Sequence, residues 1–173
     1  HRLGSTHLHL EEYEKALEYF SKNLEIRRSL LGEMHKETLN AYWDVAFVCD
    51  KVEQVQKAIE CYLKYLDIHE SLGEKPDETL VTVTFNLGEL YWELEEYQKA
   101  LEYHQKSLEM NTSINGETHL DTASSYDRLG VVYAKLKDYQ KSLELRKKAL
   151  NIYISIHGEQ HSSVAMTYKS LGY

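Results

Sequence analysis

The sequence predicts an all-α superhelix, a solenoid of stacked antiparallel helix pairs. Three observations carry that reading. The first is a phrase that returns every 42 residues: Tyr13-Glu-Lys-Ala-Leu17, Val55-Gln-Lys-Ala-Ile59, Tyr97-Gln-Lys-Ala-Leu101 and Tyr139-Gln-Lys-Ser-Leu143. A fixed period of this size marks stacked repeat units. The second is a Leu-Gly pair nine or ten residues ahead of each phrase, at Leu3-Gly4, Leu87-Gly88 and Leu129-Gly130, with Val45-Ala46 in the second copy and Leu171-Gly172 opening a fifth. The third is a hinge: Leu31-Gly32-Glu33, Leu72-Gly73-Glu74, Asn115-Gly116-Glu117 and His157-Gly158-Glu159. Its glycines slip by single residues about the 42-residue period, whereas the helical phrases keep strict register. That is expected where helices pack and the hinge only connects.

Residues 77–116 show how one unit is built. Asp77 and Thr79, after Pro76, are helix-start residues. Leu80, Val83, Leu87, Leu90, Tyr91 and Leu94 then follow at helical steps and define an amphipathic first helix. Glu95-Glu96 is a short polar turn. A second helix carries Tyr97, Ala100, Leu101, Leu108, Met110 and Ile114, and Asn115-Gly116 ends it, because both residues tolerate a left-handed cap. Gly88, Gly130 and Ala46 fall in mid-helix, where glycine costs about 1 kcal/mol against alanine. Close helix approach is the expected compensation, with Ala16, Ala58, Ala100 and Ser142 as matching small positions on the second helices. Tyr91, Tyr133, Leu24, Leu66, Leu108 and Leu150 would fill the space around them.

The chain, residues 1–173, therefore reads as one array, with units at 1–34 (truncated), 35–75, 76–118, 119–160 and 161–173 (truncated). Both ends fall inside a unit, so the expectation is a segment of a longer repeat protein. Acidic residues outnumber basic ones 28 to 20, for a net charge of −8, which argues against general nucleic-acid binding. No apolar run approaches the ~20 residues of a membrane span and no secretory signal is visible. Cys49 and Cys61 lack metal-ligand spacing, which makes a reducing, cytoplasmic setting the default.

The aligned phrases Leu87-Gly88-Glu-Leu-Tyr91 with Tyr97-Gln-Lys-Ala100-Leu101, and Leu129-Gly130-Val-Val-Tyr133 with Tyr139-Gln-Lys-Ser142-Leu143, resemble the tetratricopeptide repeat. The 42-residue form, against the family's usual ~34, is similar to the repeats of kinesin light chains and nephrocystin-like proteins. Its Gly-x-x-His hinge is matched by Gly32-Glu-Met-His35, Gly116-Glu-Thr-His119 and Gly158-Glu-Gln-His161, while the third unit departs with Gly73-Glu-Lys-Pro76. The resemblance implies a right-handed superhelix whose first helices line a concave groove that holds an extended peptide or a partner helix.

Carried over position by position, the groove is His1, Arg2, Ser5, Leu8 and His9, then Asn40, Trp43, Asp44, Phe47, Asp50 and Lys51. The third unit supplies Thr82, Phe85, Asn86, Glu89, Trp92 and Glu93. The fourth supplies Ser124, Asp127, Arg128, Val131, Ala134 and Lys135, and the incomplete fifth Met166, Lys169 and Tyr173. Both tryptophans and two of the three phenylalanines fall on this groove, and aromatics and arginine are the usual energetic centres of interfaces. Arg128, Lys135 and Lys169 make the later part basic; Glu89 and Glu93 make the middle acidic. The alternative for Trp43 and Phe85 is packing between neighbouring first helices. Kinesin light chains use basic groove residues for acidic peptides carrying a tryptophan; here Arg128 and Lys135 fit that mode while Asp44 and Asp127 oppose it.

The expected partner is thus another protein, with no nucleic acid, membrane, metal or cofactor, and no enzymatic activity. His7-x-His9 and His157-x-x-x-His161 are the nearest histidine pairs, and the second straddles the Gly158 hinge. Cys49 and Cys61 are read as packing residues, with no base and orienting group for nucleophilic chemistry. Two alternatives stand beside the scaffold: a structural spacer or end-to-end self-assembling array, and a sensor array for an unseen enzyme or signalling domain.

Overall fold

The structure, a computed structural model, describes residues 2–171, with side chains described for residues 4–8 and 10–169. Among the described residues there are nine helices and no strand: α1 (Arg2–His9), α2 (Tyr13–Leu31), α3 (Lys36–Lys51), α4 (Val55–Leu72), α5 (Glu78–Glu93), α6 (Tyr97–Asn115), α7 (Leu120–Lys135), α8 (Tyr139–His157) and α9 (Ser162–Leu171). They form two compact units, residues 1–75 and 76–173. In each unit, helices consecutive in sequence pack on one another. The all-α class and the paired-helix architecture are as the periodicity predicts. The fifth Leu-Gly pair reaches Gly172, outside the described residues.

Each hinge has the same construction. The second helix ends on a glycine with positive φ, 87° at Gly32, 64° at Gly73, 87° at Gly116 and 78° at Gly158, a conformation that costs a residue with Cβ roughly 1–2 kcal/mol. Three positions after Gly32, Gly116 and Gly158, a histidine caps the next helix. His35 Nδ1 accepts from the Glu37 amide at 3.1 Å, His119 Nδ1 from Asp121 at 3.2 Å, and His161 Nδ1 from Ser163 at 3.3 Å. The capping role explains the Gly-x-x-His recurrence: an imidazole nitrogen satisfies one of the orphan amides of the first turn. Where Pro76 replaces that histidine, Asp77 takes over and its Oδ1 accepts from the Leu80 amide at 2.9 Å.

The tight turns within pairs are closed by a backbone bond reaching five residues back. Glu12 N donates to His7 O, Gln54 N to Cys49 O, Glu96 N to Tyr91 O and Asp138 N to Tyr133 O, all at 2.8–2.9 Å. The residue before each donor has positive φ: Glu11, Glu53, Glu95 and Lys137. This is the left-handed helix cap that glycine usually supplies, held here by charged residues.

The mid-helix glycines are explained by what covers them. A methyl group at Gly88 would lie 2.6 Å from the His104 ring, one at Gly4 2.8 Å from the Phe20 ring, and one at Gly130 2.6 Å from Arg146 Cγ. Ala16, Ala58, Ala100 and Ser142 are buried as expected. The residue lying over each glycine, however, is one turn further along the second helix. It is Phe20, His104 or Arg146, and Tyr62 holds that place in the second pair. Glycine is required because a ring or guanidinium stem occupies the volume its side chain would take.

Candidate functional site

The first helices α3, α5 and α7 carry most of the predicted groove positions. In the first unit, α3 places Trp43 and Phe47 one turn apart with their rings stacked at 5.5 Å between centroids. The Lys51 ammonium lies 5.3 Å from the Phe47 ring and 3.7 Å from the Asp50 carboxylate. Trp43 and Phe47 are half-buried, and Asn40 and Lys51 are exposed. The Trp43 indole nitrogen is buried without a hydrogen-bond partner in the chain. Trp43 is thus largely packed and only partly open.

Asp44 is half-buried, and burial raises its carboxyl to about 6, against the opposing pull of Arg27. Arg27 itself, on α2, donates from Nε to Asn23 Oδ1 at 3.1 Å and from Nη1 to Glu37 Oε2 at 2.5 Å.

In the second unit the predicted charges do not stand free. Glu89 links two side chains: one oxygen lies 3.0 Å from Arg128 Nη2 and the other 3.2 Å from His104 Nε2. His104 is buried, packs edge-on to Phe85 at 5.3 Å, and fills the space over Gly88. The acidic middle and basic end expected of this stretch therefore meet in one ion pair between α5 and α7. Trp92 is half-buried, lies edge-on to Tyr97 at 5.1 Å, and carries the Lys135 ammonium 5.7 Å over its ring. Asp127 is half-buried, and burial raises its carboxyl against the opposing fields of Arg146 and Arg128. Asn86 and Val131 are half-buried; Glu93 and Lys169 are exposed. His1 and Tyr173 lie outside the described residues, as do the side chains of Arg2 and His9.

The contacts bring the predicted positions together in two clusters. One is Trp43, Phe47 and Lys51; the other is Phe85, Glu89 and Arg128, with Trp92 and Lys135 further along the same two helices. Reading first helices alone misses His104, Arg146 and Arg27, which belong to second helices and fix the groove-side charges. A signal exists: His104 and Arg146 fall sixteen residues after Gly88 and Gly130.

The titratable groups are tuned for packing. Cys49 and Cys61 are buried, and burial pushes the Cys61 thiol up to about 12, which removes the thiolate that nucleophilic chemistry needs. Among the described residues, no group of three or more His, Cys, Asp or Glu side chains is placed to hold a metal ion. The His157 and His161 rings stack at 4.1 Å across the hinge. No helix among the described residues is long and apolar enough to cross a membrane.

Comparison with solved structures places this arrangement. BtubC (BKLC) from P. vanneervenii superposes with a TM-score of 0.83 at 24% identity, over 98% of this chain and 68% of that one. A Podosopora anserina putative kinesin light chain with nearly identical TPR-like repeats gives 0.82 at 18% identity, over 99% and 81%. MamA gives 0.67 at 19% identity, over 98% and 84%. At these identities the likeness shows the fold. No curated protein matches the chain in sequence. The tetratricopeptide repeat profile matches residues 1–71, 79–153 and 121–173, so the chain belongs to the tetratricopeptide repeat family.

Proposed function

We propose that this chain is a protein-interaction scaffold that holds a peptide or helix of another protein against its first-helix face. The observation that supports this most is an aromatic and cation cluster on the first helices of each unit. Trp43, Phe47 and Lys51 in one unit, and Trp92 with Lys135 in the other, leave large ring surfaces partly open where each carries an ammonium group. Half-exposed aromatics flanked by cations are what interface centres are made of. With Arg128 paired to Glu89 and Lys51 beside Asp50, Lys135 and Lys169 are, among the described residues, the first-helix cations offered to an acidic or polar partner. The names of the similar structures point the same way, since kinesin light chain repeats are among them. A reducing, cytoplasmic setting fits the two free cysteines.

Affinity capture on the immobilised chain tests this reading. Trp92→Ala and Lys135→Glu should each cut capture at least tenfold, with the melting temperature little changed. Lys106→Glu, on an exposed stretch of α6, should leave capture intact. Capture lost equally in all three variants, or unaffected in all three, would reject the first-helix face.

Self-association is a second reading with its own observation. On α2, Ile26 and Leu30 are exposed one turn apart, Leu30 by 76%, with exposed Met34 just beyond the helix. Such a stripe is an association liability. Sedimentation that depends on concentration, and is abolished by Leu30→Lys, would support it.

A further inference from the structure

The α2–α3 corner of the first unit and the α6–α7 corner of the second share one register, and the chain fills them differently. In the second unit α5 adds a further wall. Advancing by two repeats, 84 residues, maps Asn23, Arg27 and Glu37 onto Ser107, Asn111 and Asp121. In the first unit a guanidinium occupies the corner. Arg27 donates from Nε to Asn23 and from Nη1 to both the side chain and the backbone carbonyl of Glu37, and its side chain is 25% exposed. In the second unit the acidic partner is kept and the guanidinium is gone.

What is left there is a cleft of about 350 Å³, walled by Glu78, Thr82 and Phe85 of α5, Asn111 of α6, and Asp121 and Ser124 of α7. Its full lining contains no lysine or arginine. Ser107, the counterpart of the residue that accepts from Arg27 Nε, is fully buried behind the cleft and does not line it. Asn111 is also buried and is held by Ser125 at 2.9 Å and Asn115 at 3.3 Å. The Asp121 carboxylate lies 3.3 Å from His119 Nδ1, the atom that accepts from the Asp121 amide.

We propose that this cleft receives the guanidinium of an arginine on the partner polypeptide, so that the partner completes in the second unit the contact that Arg27 makes internally in the first. The proposal rests on the scaffold reading and assigns one chemical requirement to it. The Phe85 and Val81 walls take the aliphatic stem, and Asp121 and Glu78 take the charge. The site is distinct from the lysine clusters and selects the opposite sign, so a fitting segment carries both an acidic stretch and an arginine.

The test titrates the full chain with N-acetyl-arginine methylamide, and separately with the norleucine analogue, reading the Asn111 and Asn115 side-chain amides by NMR. The arginine compound should shift them saturably, at millimolar affinity and at least tenfold more tightly than norleucine. Asp121→Asn should weaken it at least threefold. Asn111→Arg, which supplies a guanidinium from the chain itself beside Asp121, should abolish the Asn115 response. Equal response to both compounds, shifts confined to other residues, or an Asp121→Asn variant that binds as well as the parent would overturn the proposal. If those results come while captured partner still requires Trp92 and Lys135, the scaffold reading survives and only the arginine site falls. If capture is insensitive to those residues too, both fall.

Discussion

The helix pair α3–α4 of the first unit and the pairs α5–α6 and α7–α8 of the second share one backbone register but are cemented differently. In α4 the buried residues are Ala58, Ile59, Cys61, Tyr62, Tyr65, Ile68 and His69, an almost continuous apolar surface. In α6 they are Ala100, His104, Ser107 and Asn111, and in α8 Ser142, Ala149, Leu150 and Ile152. His104 and Arg146 cover Gly88 and Gly130, and the buried Tyr62 holds the matching register position in α4. Apolar burial contributes about 25 cal/mol per Å², whereas polar groups must be matched one by one. The comparison teaches that repeat geometry tolerates polar substitution where an ion network supports it, and the polar pairs are those that carry the Glu89 bridge and the open cleft.

The largest expected effect is in the apolar pair. Tyr62→Ala should cost about 3–5 kcal/mol, the range for removing a large buried ring. His104→Ala should cost roughly 1–3 kcal/mol, because Glu89 keeps Arg128 as a partner. Hydrogen exchange measures both, and equal losses would erase the distinction between the pairs. Next comes Gly88→Ala, whose new methyl meets the imidazole at 2.6 Å and should cost about 1–3 kcal/mol by overpacking. Much of that loss should vanish in Gly88→Ala with His104→Ala, since the two residues compete for one volume; strict additivity in thermal melts would contradict it.

A pH effect is common to the two units. The Asp44 carboxyl is raised by burial to about 6 from 3.8. Between those values the folded chain holds a proton that the unfolded chain has released. Stability from this group is present below about 4 and is lost as pH rises through about 6. Asp44→Asn should therefore gain melting temperature relative to the parent at pH 7.5 and lose that gain at pH 4. Asp127→Asn should show the same sign, as burial raises that carboxyl too. A gain that grows on acidification would refute the burial argument. The smallest effect is expected at Glu95, where Glu95→Gly relieves a positive φ of 59° and should stabilise by up to about 1 kcal/mol, against a loss of similar size for Gly116→Ala.

Helix pairs, turns and hinges were legible because their causes are local and repeated. A glycine every 42 residues with polar flanks marks a hinge, and Asp77 after Pro76 marks a helix start. The left-handed caps at Glu11, Glu53, Glu95 and Lys137 were not legible as such, since charged residues give no hint of positive φ. Groove positions could be enumerated by counting from Gly88, but their charge state could not. Whether Arg128 is free or bound to Glu89 depends on a contact between helices 39 residues apart, and His104's part in that contact comes from a different helix altogether. The cleft at Asn111 is visible only by setting Arg27 beside it, a comparison between copies that periodicity invites and geometry alone completes.

The chain has two tryptophans, Trp43 on α3 and Trp92 on α5, one on the proposed partner face of each unit. Their emission therefore reports on those first helices. Titrating a captured partner segment into the parent, the Trp43→Phe variant and the Trp92→Phe variant should give saturable changes in wavelength or intensity, with the Trp43→Phe chain still responding through Trp92. A segment that binds stoichiometrically by calorimetry while leaving the emission of all three proteins unchanged would place the partner elsewhere and contradict the account.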